Sequence, residues 1–424
     1  MELLSSFSQV KSSRISQALA EPETLALRRA AAWGEFARSS WPDRKSEAFK
    51  YTDLSRVPLE GLELLAPMPV PVPQSLWERV EQSQLAGYLI FVDGVLAASQ
   101  VPQGIQLAPL SQILAQDPGS LAAYLYQAVG AEGKFRAQNA AFWQEGVFLR
   151  VPAALELKEP LGVFHHFTRG GFFAQRTLLI LGENAHAVFL EEFSSDNSDS
   201  LVISLASEAF LAPGAGLRRA TLQTLNESAY LFGFQNTILE HDAQQSDLVA
   251  SFGAKTARLE VSSQMVGAGS DSEMLGIYFA HGDQHFDHYT LQHHLADHAR
   301  SDVFYKGAAR DQGEVVYSGL IRLEVGAQKT DAYQTNRNLL LSPEARAHSV
   351  PMLEILANDV RCSHGSSTSP VDREQVFYLM SRGIPREQAQ EVLVQAFLAD
   401  VLGRVPLMAL RERVEQIIRE KVQL

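Results

Sequence analysis

A cysteine and a histidine two residues apart are the first residues in this 424-residue sequence that could do chemistry together. If residues 359–365 (DVRCSHG) form an extended strand, Cys362 and His364 point to the same side, because side chains at i and i+2 share a face. A thiolate beside an imidazole is either an activated nucleophile or part of a site for a soft metal. A buried cysteine that packs like a small apolar residue beside a structural histidine is a third interpretation.

A second group of candidate residues combines imidazoles and carboxylates, which are common ligands of zinc and non-haem iron. Half of the twelve histidines lie between residues 281 and 298. The group consists of His281, His285, His288, His293, His294 and His298, with Asp283, Asp287 and Asp297 among them. We take His285 and His294 as candidate metal ligands, although the segment lacks an HExxH pattern and its other residues favour a strand. Packed or solvated histidines on a β-sheet face are the alternative interpretation.

The single cysteine limits what the chain can do alone. One thiol cannot form an internal disulfide, and the composition therefore indicates a reducing compartment. Iron–sulfur clusters generally take about four protein ligands, which are mostly cysteines. If Cys362 binds such a cluster, other chains must supply much of the coordination, and the site would lie at an interface.

Charge and hydropathy exclude two further classes of protein. Lys and Arg number 36 and Asp and Glu number 49, for a net charge of −13, which argues against a protein that follows nucleic-acid phosphates. No segment approaches the ~18 consecutive apolar residues of a membrane span, and the N-terminus lacks the pattern of a secretory signal. We expect a cytoplasmic bacterial protein rather than a plastid protein, with neither nucleic acid nor membrane as a partner.

Three regions with different periodicities must position these residues. Residues 1–150 are mostly helical, with a proline-rich connector at 67–73 and an Asp-Gly hairpin turn within residues 91–96. Residues 151–368 show short period-two strands with turn residues between them and no convincing helical periodicity, which favours a β-solenoid over a sandwich or barrel. Residues 369–424 return to helical spacing after Asp372, which predicts a helical C-terminal domain.

The segment around Cys362 resembles the C-terminal signature of the SufB/SufD family of iron–sulfur cluster assembly proteins. The similarity rests on residues 351–355 (PMLEI), 359–365 (DVRCSHG) and 372–384 (DREQVFYLMSRGI), and it extends upstream through 329–341. Further similar residues lie at 284–287, 294 and 306–307, while 42–52, 91–94 and 135–142 resemble the SufD branch. The single cysteine also favours that branch. Residues 366–370 (SSTSP) depart from the Ala-Thr and Gly that the family often carries there.

The resemblance implies a right-handed parallel β-helix core between helical terminal regions. It also implies a non-catalytic scaffold subunit with no permanently bound cofactor, which pairs with a SufB-like paralogue through the β-helix and binds the SufC ATPase. A transient iron–sulfur cluster would form at the interface with the paralogue, with Cys362 and His364 contributing from this chain. An isolated chain could pair with itself as a homodimer. The implied SufC contact comprises Val376, Phe377, Tyr378, Arg382 and Gly383.

Two other functions compete with the scaffold. A metal-dependent hydrolase would use the histidines between 281 and 298, and elemental analysis of the isolated chain would reveal tightly held zinc or iron. A polysaccharide lyase or hydrolase on a β-helix would need carboxylates gathered along one groove, and the sequence shows no such grouping. We therefore expect the scaffold.

Overall fold

The computed structural model describes residues 7–59, 61–196, 199–405 and 408–423. Its helices lie before and after a long run of strands, where apolar residues recur at helical spacing in the sequence. The helices are α1 (Gln9–Ala18), α2 (Glu23–Arg38), α3 (Gln74–Gln82), α4 (Leu110–Gln116), α5 (Pro118–Tyr124), α6 (Lys134–Phe142), α7 (Arg373–Ser381), α8 (Arg386–Leu402) and α9 (Met408–Gln423).

The strands begin within the N-terminal region and continue to α7. They are β1 (Gly87–Val92), β2 (Val95–Gln100), β3 (Gln106–Pro109), β4 (Glu145–Val151), β5 (Leu161–Phe167), β6 (Gly171–Leu181), β7 (His186–Ser195), β8 (Leu201–Leu211), β9 (Gly216–Thr224), β10 (Ala229–Leu239), β11 (Gln244–Ser251), β12 (Thr256–Met265), β13 (Asp271–Ala280), β14 (His285–His294), β15 (Arg300–Ala309), β16 (Glu314–Leu323), β17 (Asp331–Leu340), β18 (Arg346–Ile355) and β19 (Arg361–Pro370).

Within the described residues the strands form two sheets that alternate along the chain, so that the chain winds as a solenoid. The ten-stranded sheet has the order β19-β17-β15-β13-β11-β9-β7-β5-β1-β2, and the nine-stranded sheet has the order β18-β16-β14-β12-β10-β8-β6-β4-β3. From β4 onward every pairing is parallel. The predicted fold class, a parallel β-helix (solenoid) core flanked by N-terminal and C-terminal helical regions, is confirmed, and the solenoid has about eight turns.

Strand alternation divides each rung into an interior and an exterior face. In β14, for example, Phe286, His288 and Thr290 face the interior and are fully buried. At one corner the turns contain residues in the left-handed region, such as Asn184, Asp242 and Lys329. These tight turns bring each strand directly over its counterpart one rung earlier, in continuous register.

Helices cover most of the two outer faces. The N-terminal helices share an apolar cluster with the nine-stranded sheet, and α3, α8 and α9 share another with the ten-stranded sheet. Lys306 on β15 fixes α8 in place, because its Nζ donates to the carbonyl of Phe397 at 2.8 Å and to Asp400 at 2.5 Å. The cover ends before β18 and β19, the last strand of each sheet.

Asp93 and Gly94 both have positive φ and form the tight turn between β1 and β2, as the Asp-Gly pair predicts. The division of the chain at residue 150 stays a prediction. Strand β1 precedes that boundary and β4 crosses it, and each pairs in parallel with the next strand of its sheet.

Candidate functional site

Strand β19 carries Cys362 and His364 on the last rung of the solenoid. The two residues lie opposite Ala332 and Gln334 of β17, both of which are buried on the interior face. Cys362 and His364 therefore share the side that faces the interior. Cys362 packs against the apolar cluster of Ile321, Leu323, Ala327 and Ala332 and is half-buried, whereas His364 is exposed.

The environment of Cys362 makes its thiol a poor nucleophile in the isolated chain. Burial raises the pKa of Cys362 to about 11. The thiol is therefore protonated at neutral pH, which disfavours the activated-nucleophile interpretation. A soft metal would have to displace this proton in order to bind the sulfur.

The backbone of β19 offers a free edge beside the same two residues. The Arg361 N–H donates to the Thr330 carbonyl at 2.8 Å. The backbone N–H and C=O groups of the odd-numbered residues of β19 therefore point toward β17. Because successive residues alternate, Cys362 and His364 direct their own N–H and C=O groups away from β17. Strand β18 similarly ends the nine-stranded sheet, and every residue of β18 and β19 is partly or fully exposed.

Further polar side chains lie next to this edge, among them Gln334, which belongs to the 329–341 segment that resembles the SufB/SufD family. Gln334 is buried beside His364, accepts a hydrogen bond from the Tyr317 hydroxyl at 3.3 Å, and donates to the Met352 carbonyl at 3.3 Å. Ser366 donates to Ser349 of β18 at 2.8 Å, linking the two terminal strands. The resemblance covers Gln334, but its position beside His364 follows only from the register between β17 and β19.

The structure separates the two histidines taken as candidate metal ligands. His285 and His294 are the first and last residues of β14, roughly 30 Å apart at the usual rise per residue. His285 lies on the outer face, where it bonds to Thr52 at 3.0 Å and to Glu314 at 3.3 Å. His294 lies inside and bonds to Ser301 at 2.7 Å. These two residues do not form one site.

The remaining histidines of that group also have separate partners. His288 is buried against Ser251, while His293 contacts Glu324 on the next rung. Across the part of the chain that the structure describes, no three side chains of His, Cys, Asp or Glu gather closely enough to hold a metal ion. The geometry therefore gives no support to a hydrolase built on this segment.

Helix α7 follows β19 directly and presents aromatic side chains to solvent. Asp372 caps the helix by accepting from the backbone N–H groups of Glu374 and Gln375. Val376 is buried, but Phe377 is 71% exposed and Tyr378 is 57% exposed. The guanidinium of Arg382 lies over the Tyr378 ring, 5.3 Å from its centroid, and Gly383 follows the helix with a φ of +89°. The side chains of Met380 on α7 and Val392 on α8 are also exposed.

Family models match nearly the whole chain. The model described as "SUF system FeS cluster assembly, SufBD core domain" matches residues 165–397, more than half of the sequence. The chain belongs to the SufBD family. A second model, for the SufBD protein N-terminal region, matches residues 5–163. The SufBD core domain includes the solenoid rungs from β6 onward, Cys362, His364 and α7.

Individual relatives support the same assignment. The chain is 28% identical to the iron–sulfur cluster assembly protein SufD of Escherichia coli over 390 residues, which is 90% of this chain and 89% of that protein. It is 25% identical to SufD of Bacillus subtilis over 295 residues, 69% of this chain and 68% of that protein. A SufBD family protein of Synechocystis sp. is 24% identical over 396 residues, 89% of this chain and 86% of that protein.

Family membership establishes the general role, that of an iron–sulfur cluster assembly protein of the SufBD family with SufD homologues. None of the helices in the described ranges has the length and apolar character that crossing a membrane requires. Cys362 and His364 thus lie on an open strand edge of a SufBD family protein.

Proposed function

We propose that this chain is a SufD-type scaffold subunit of a SUF complex, in which a nascent iron–sulfur cluster forms between the open end of its solenoid and a SufB-type paralogue. One observation carries the proposal: Cys362 and His364 lie on β19, the unpaired edge strand of the ten-stranded sheet. The subunit itself is non-catalytic, and the ATPase activity belongs to a SufC-type partner. The cluster is cargo that the complex builds and passes on.

The number of ligands favours a shared site. One thiol and one imidazole give half of the ~4 protein ligands that such clusters take. Because burial holds the Cys362 thiol protonated, an arriving iron must displace a proton to bind the sulfur. Residues of the partner would both complete the coordination and exclude water from the half-buried cysteine.

The free edges favour a partner that continues the sheets. An unpaired strand edge with outward N–H and C=O groups can pair with a strand of another chain. Strands β18 and β19 end their sheets on the same rung, so a paralogous solenoid could extend both sheets at once. A second copy of this chain would meet the same edges in a homodimer.

The aromatic surface of α7 favours a second partner. Phe377 and Tyr378 expose most of their side chains, and large apolar groups of this kind are common anchors in protein interfaces. Gly383, in the left-handed region, permits the tight turn that sets α8 beside α7. We propose that Val376 supports this surface from beneath and that Phe377, Tyr378 and Arg382 contact the SufC-type ATPase.

Replacing Cys362 with serine should lower cluster assembly at least tenfold without breaking up the complex. The hydroxyl is a poor ligand for iron, but it occupies nearly the same volume. The chain would be co-expressed with the SufB-type and SufC-type proteins of its host, and iron and sulfide content measured on the purified complex. Ser363→Ala, one residue along on the opposite face of β19, is the matched control and should leave the content unchanged. A Cys362→Ser complex that assembles clusters normally would contradict the role of Cys362, and purification without either partner would contradict the subunit assignment.

Removing the exposed aromatics of α7 should weaken binding of the ATPase at least tenfold. Phe377→Ala combined with Tyr378→Ala deletes the two exposed rings, while the stability of the isolated chain should change little because neither ring is buried. Affinity would be measured by titration with the purified SufC-type protein. Leu27→Ala, which removes a 63% exposed side chain from α2, is the control. Equal affinities for the two variants would contradict the assignment of this surface.

A further inference from the structure

A cavity of about 840 Å³ lies at the carboxyl ends of β9, β11 and β13, far along the chain from Cys362. Helices α3 and α9 form its other walls. The residues that decide its chemistry are a lysine and an arginine pair on α9 and a histidine that follows β13. Its lining includes neither Cys362 nor His364, nor any other residue of β18 and β19.

Lys421 lines the cavity and meets a hydrogen-bond donor rather than an acceptor. Its Nζ lies 3.2 Å from Nδ1 of His281. Buried Gln284 fixes the state of that nitrogen, because its Nε2 donates to the Ala254 carbonyl and its Oε1 accepts from the His281 backbone N–H. The same Oε1 lies 2.6 Å from Nδ1, so Nδ1 must carry a hydrogen. Because that hydrogen points at Oε1, Nδ1 has no lone pair to offer an ammonium group, and the contact gives the charged form of Lys421 no acceptor.

Burial acts in the same direction as this contact. It lowers the pKa of Lys421 to about 8, against the opposing effect of the Glu227 carboxylate. At pH 7.5 about a quarter of such amines are neutral, compared with about a thousandth for an ordinary lysine. The neutral amine is the nucleophilic form.

The wall around the amine carries more guanidinium groups than inward carboxylates. Arg79 and Arg413 share one buried carboxylate, that of Glu192, and Arg419 bonds to the neutral side chain of Gln416. Guanidinium groups are suited to bind phosphate oxygens, and all three of these arginines line the cavity. Three carboxylates around Lys421 are exposed: Glu412 and Glu420 on α9, and Glu227 on the solenoid, which lies 3.0 Å from Nε2 of His281. The other charged or titratable groups are His281 on the solenoid, Arg79 on α3, and Arg413 and Arg419 on α9.

We propose that Lys421 is an acylation site that takes its acyl group from small acyl phosphates. The arginines hold the phosphate, and the Nζ lone pair attacks the carbonyl carbon. A new N–C bond forms, the C–O bond to the phosphate breaks, and the phosphate leaves with the bonding electron pair. The proton lost from the amine passes to the departing phosphate or to water. The amide that results has no basic nitrogen, and its bulk displaces the end of α9 from His281.

The test compares acetylation of the purified full chain by two acetyl donors, with site occupancy measured by mass spectrometry. With acetyl phosphate at pH 7.5, the initial rate at Lys421 should exceed that at the exposed Lys45 at least tenfold. The rate at Lys421 should level off above pH 8, while the rate at Lys45 continues to rise. Equal rates at the two lysines would overturn the proposal.

The second donor separates recognition of phosphate from reactivity of the amine. Arg419→Gln should slow acetylation by acetyl phosphate severalfold and leave acetylation by uncharged p-nitrophenyl acetate unchanged. Inorganic phosphate should likewise compete only with acetyl phosphate. If Arg419→Gln slows both donors equally, or neither, the phosphate site is refuted. None of these results depends on SufB-type or SufC-type partners, so the proposed function can fail independently.

Discussion

Lowering the pH from 7 to 5 should reduce the free energy of unfolding by about 4 kcal/mol, because two histidines are buried in neutral form inside the solenoid. Burial lowers the pKa of His288 to about 4, and the neighbouring Arg258 and His285 add to this effect while Asp287 opposes it. Burial lowers the pKa of His294 to about 3. Both side chains point inward from β14, where no solvent can stabilise a charge.

Acid lowers the free energy of unfolding because the unfolded chain binds more protons than the folded chain. Above pH 6.5 both histidines are neutral in the folded and unfolded chains, and the full stability is present. Below pH 6.5 the unfolded chain takes up protons that the folded chain does not, so stability falls by about 1.4 kcal/mol per pH unit for each histidine. The loss continues until the pH reaches the folded-state values near 4 and 3.

Urea denaturation at pH 7 and pH 5 measures this difference directly. His294→Gln removes one titrating group, keeps a side chain that can bond to Ser301, and should halve the acid-induced loss. His241→Gln changes an exposed histidine of a turn and serves as the control, for which the loss should match that of the unaltered chain. Equal stability of the unaltered chain at the two pH values would contradict the buried neutral state.

The sequence predicted the solenoid because the strand signal is local. Alternation such as that of Leu259 and Val261 with Glu260 follows from the two-residue period of a strand, and it needs no knowledge of the partners. The shared side of Cys362 and His364 follows from the same period. Their position on an unpaired edge does not, because it depends on β19 being the last rung of the ten-stranded sheet.

The histidines between 281 and 298 show where local reasoning fails. Their density suggested one metal site, but the rise per residue in a strand is about twice that in a helix, so the same histidines lie about twice as far apart. Alternation then sends His285 outward and His294 inward, to different hydrogen-bond partners. The partners lie on a neighbouring rung, on the facing sheet and in the N-terminal segment: Glu314 and Thr52 for His285, and Ser301 of β15 for His294. These contacts are properties of the assembled solenoid.

Gly307 shows that a residue noticed for its family resemblance can have a steric reason that the sequence hides. Strands β13 and β15 place Tyr278 directly opposite Gly307 and Gly276 directly opposite Tyr305. A Cβ atom on Gly307 would lie 1.6 Å from Cε2 of Tyr278. That ring cannot turn aside freely, because it stacks on His288 and its hydroxyl donates to Asn338.

Gly307→Ala should therefore lower the free energy of unfolding by about 3 kcal/mol, the upper part of the range for overpacking a core. Gly34→Ala is the matched control: its Cβ would meet only Arg38, at 3.6 Å, within α2, and alanine should stabilise the helix by about 0.5–1 kcal/mol. Both would be measured by urea denaturation at pH 7.

The double variant Gly307→Ala with Tyr278→Leu tests the cause. The smaller leucine makes room for the new methyl group, so Gly307→Ala should lower the free energy of unfolding much less than it does in the presence of the tyrosine. If Gly307→Ala lowers the free energy of unfolding equally with leucine and with tyrosine at position 278, the clash with the ring is not the reason for glycine at position 307.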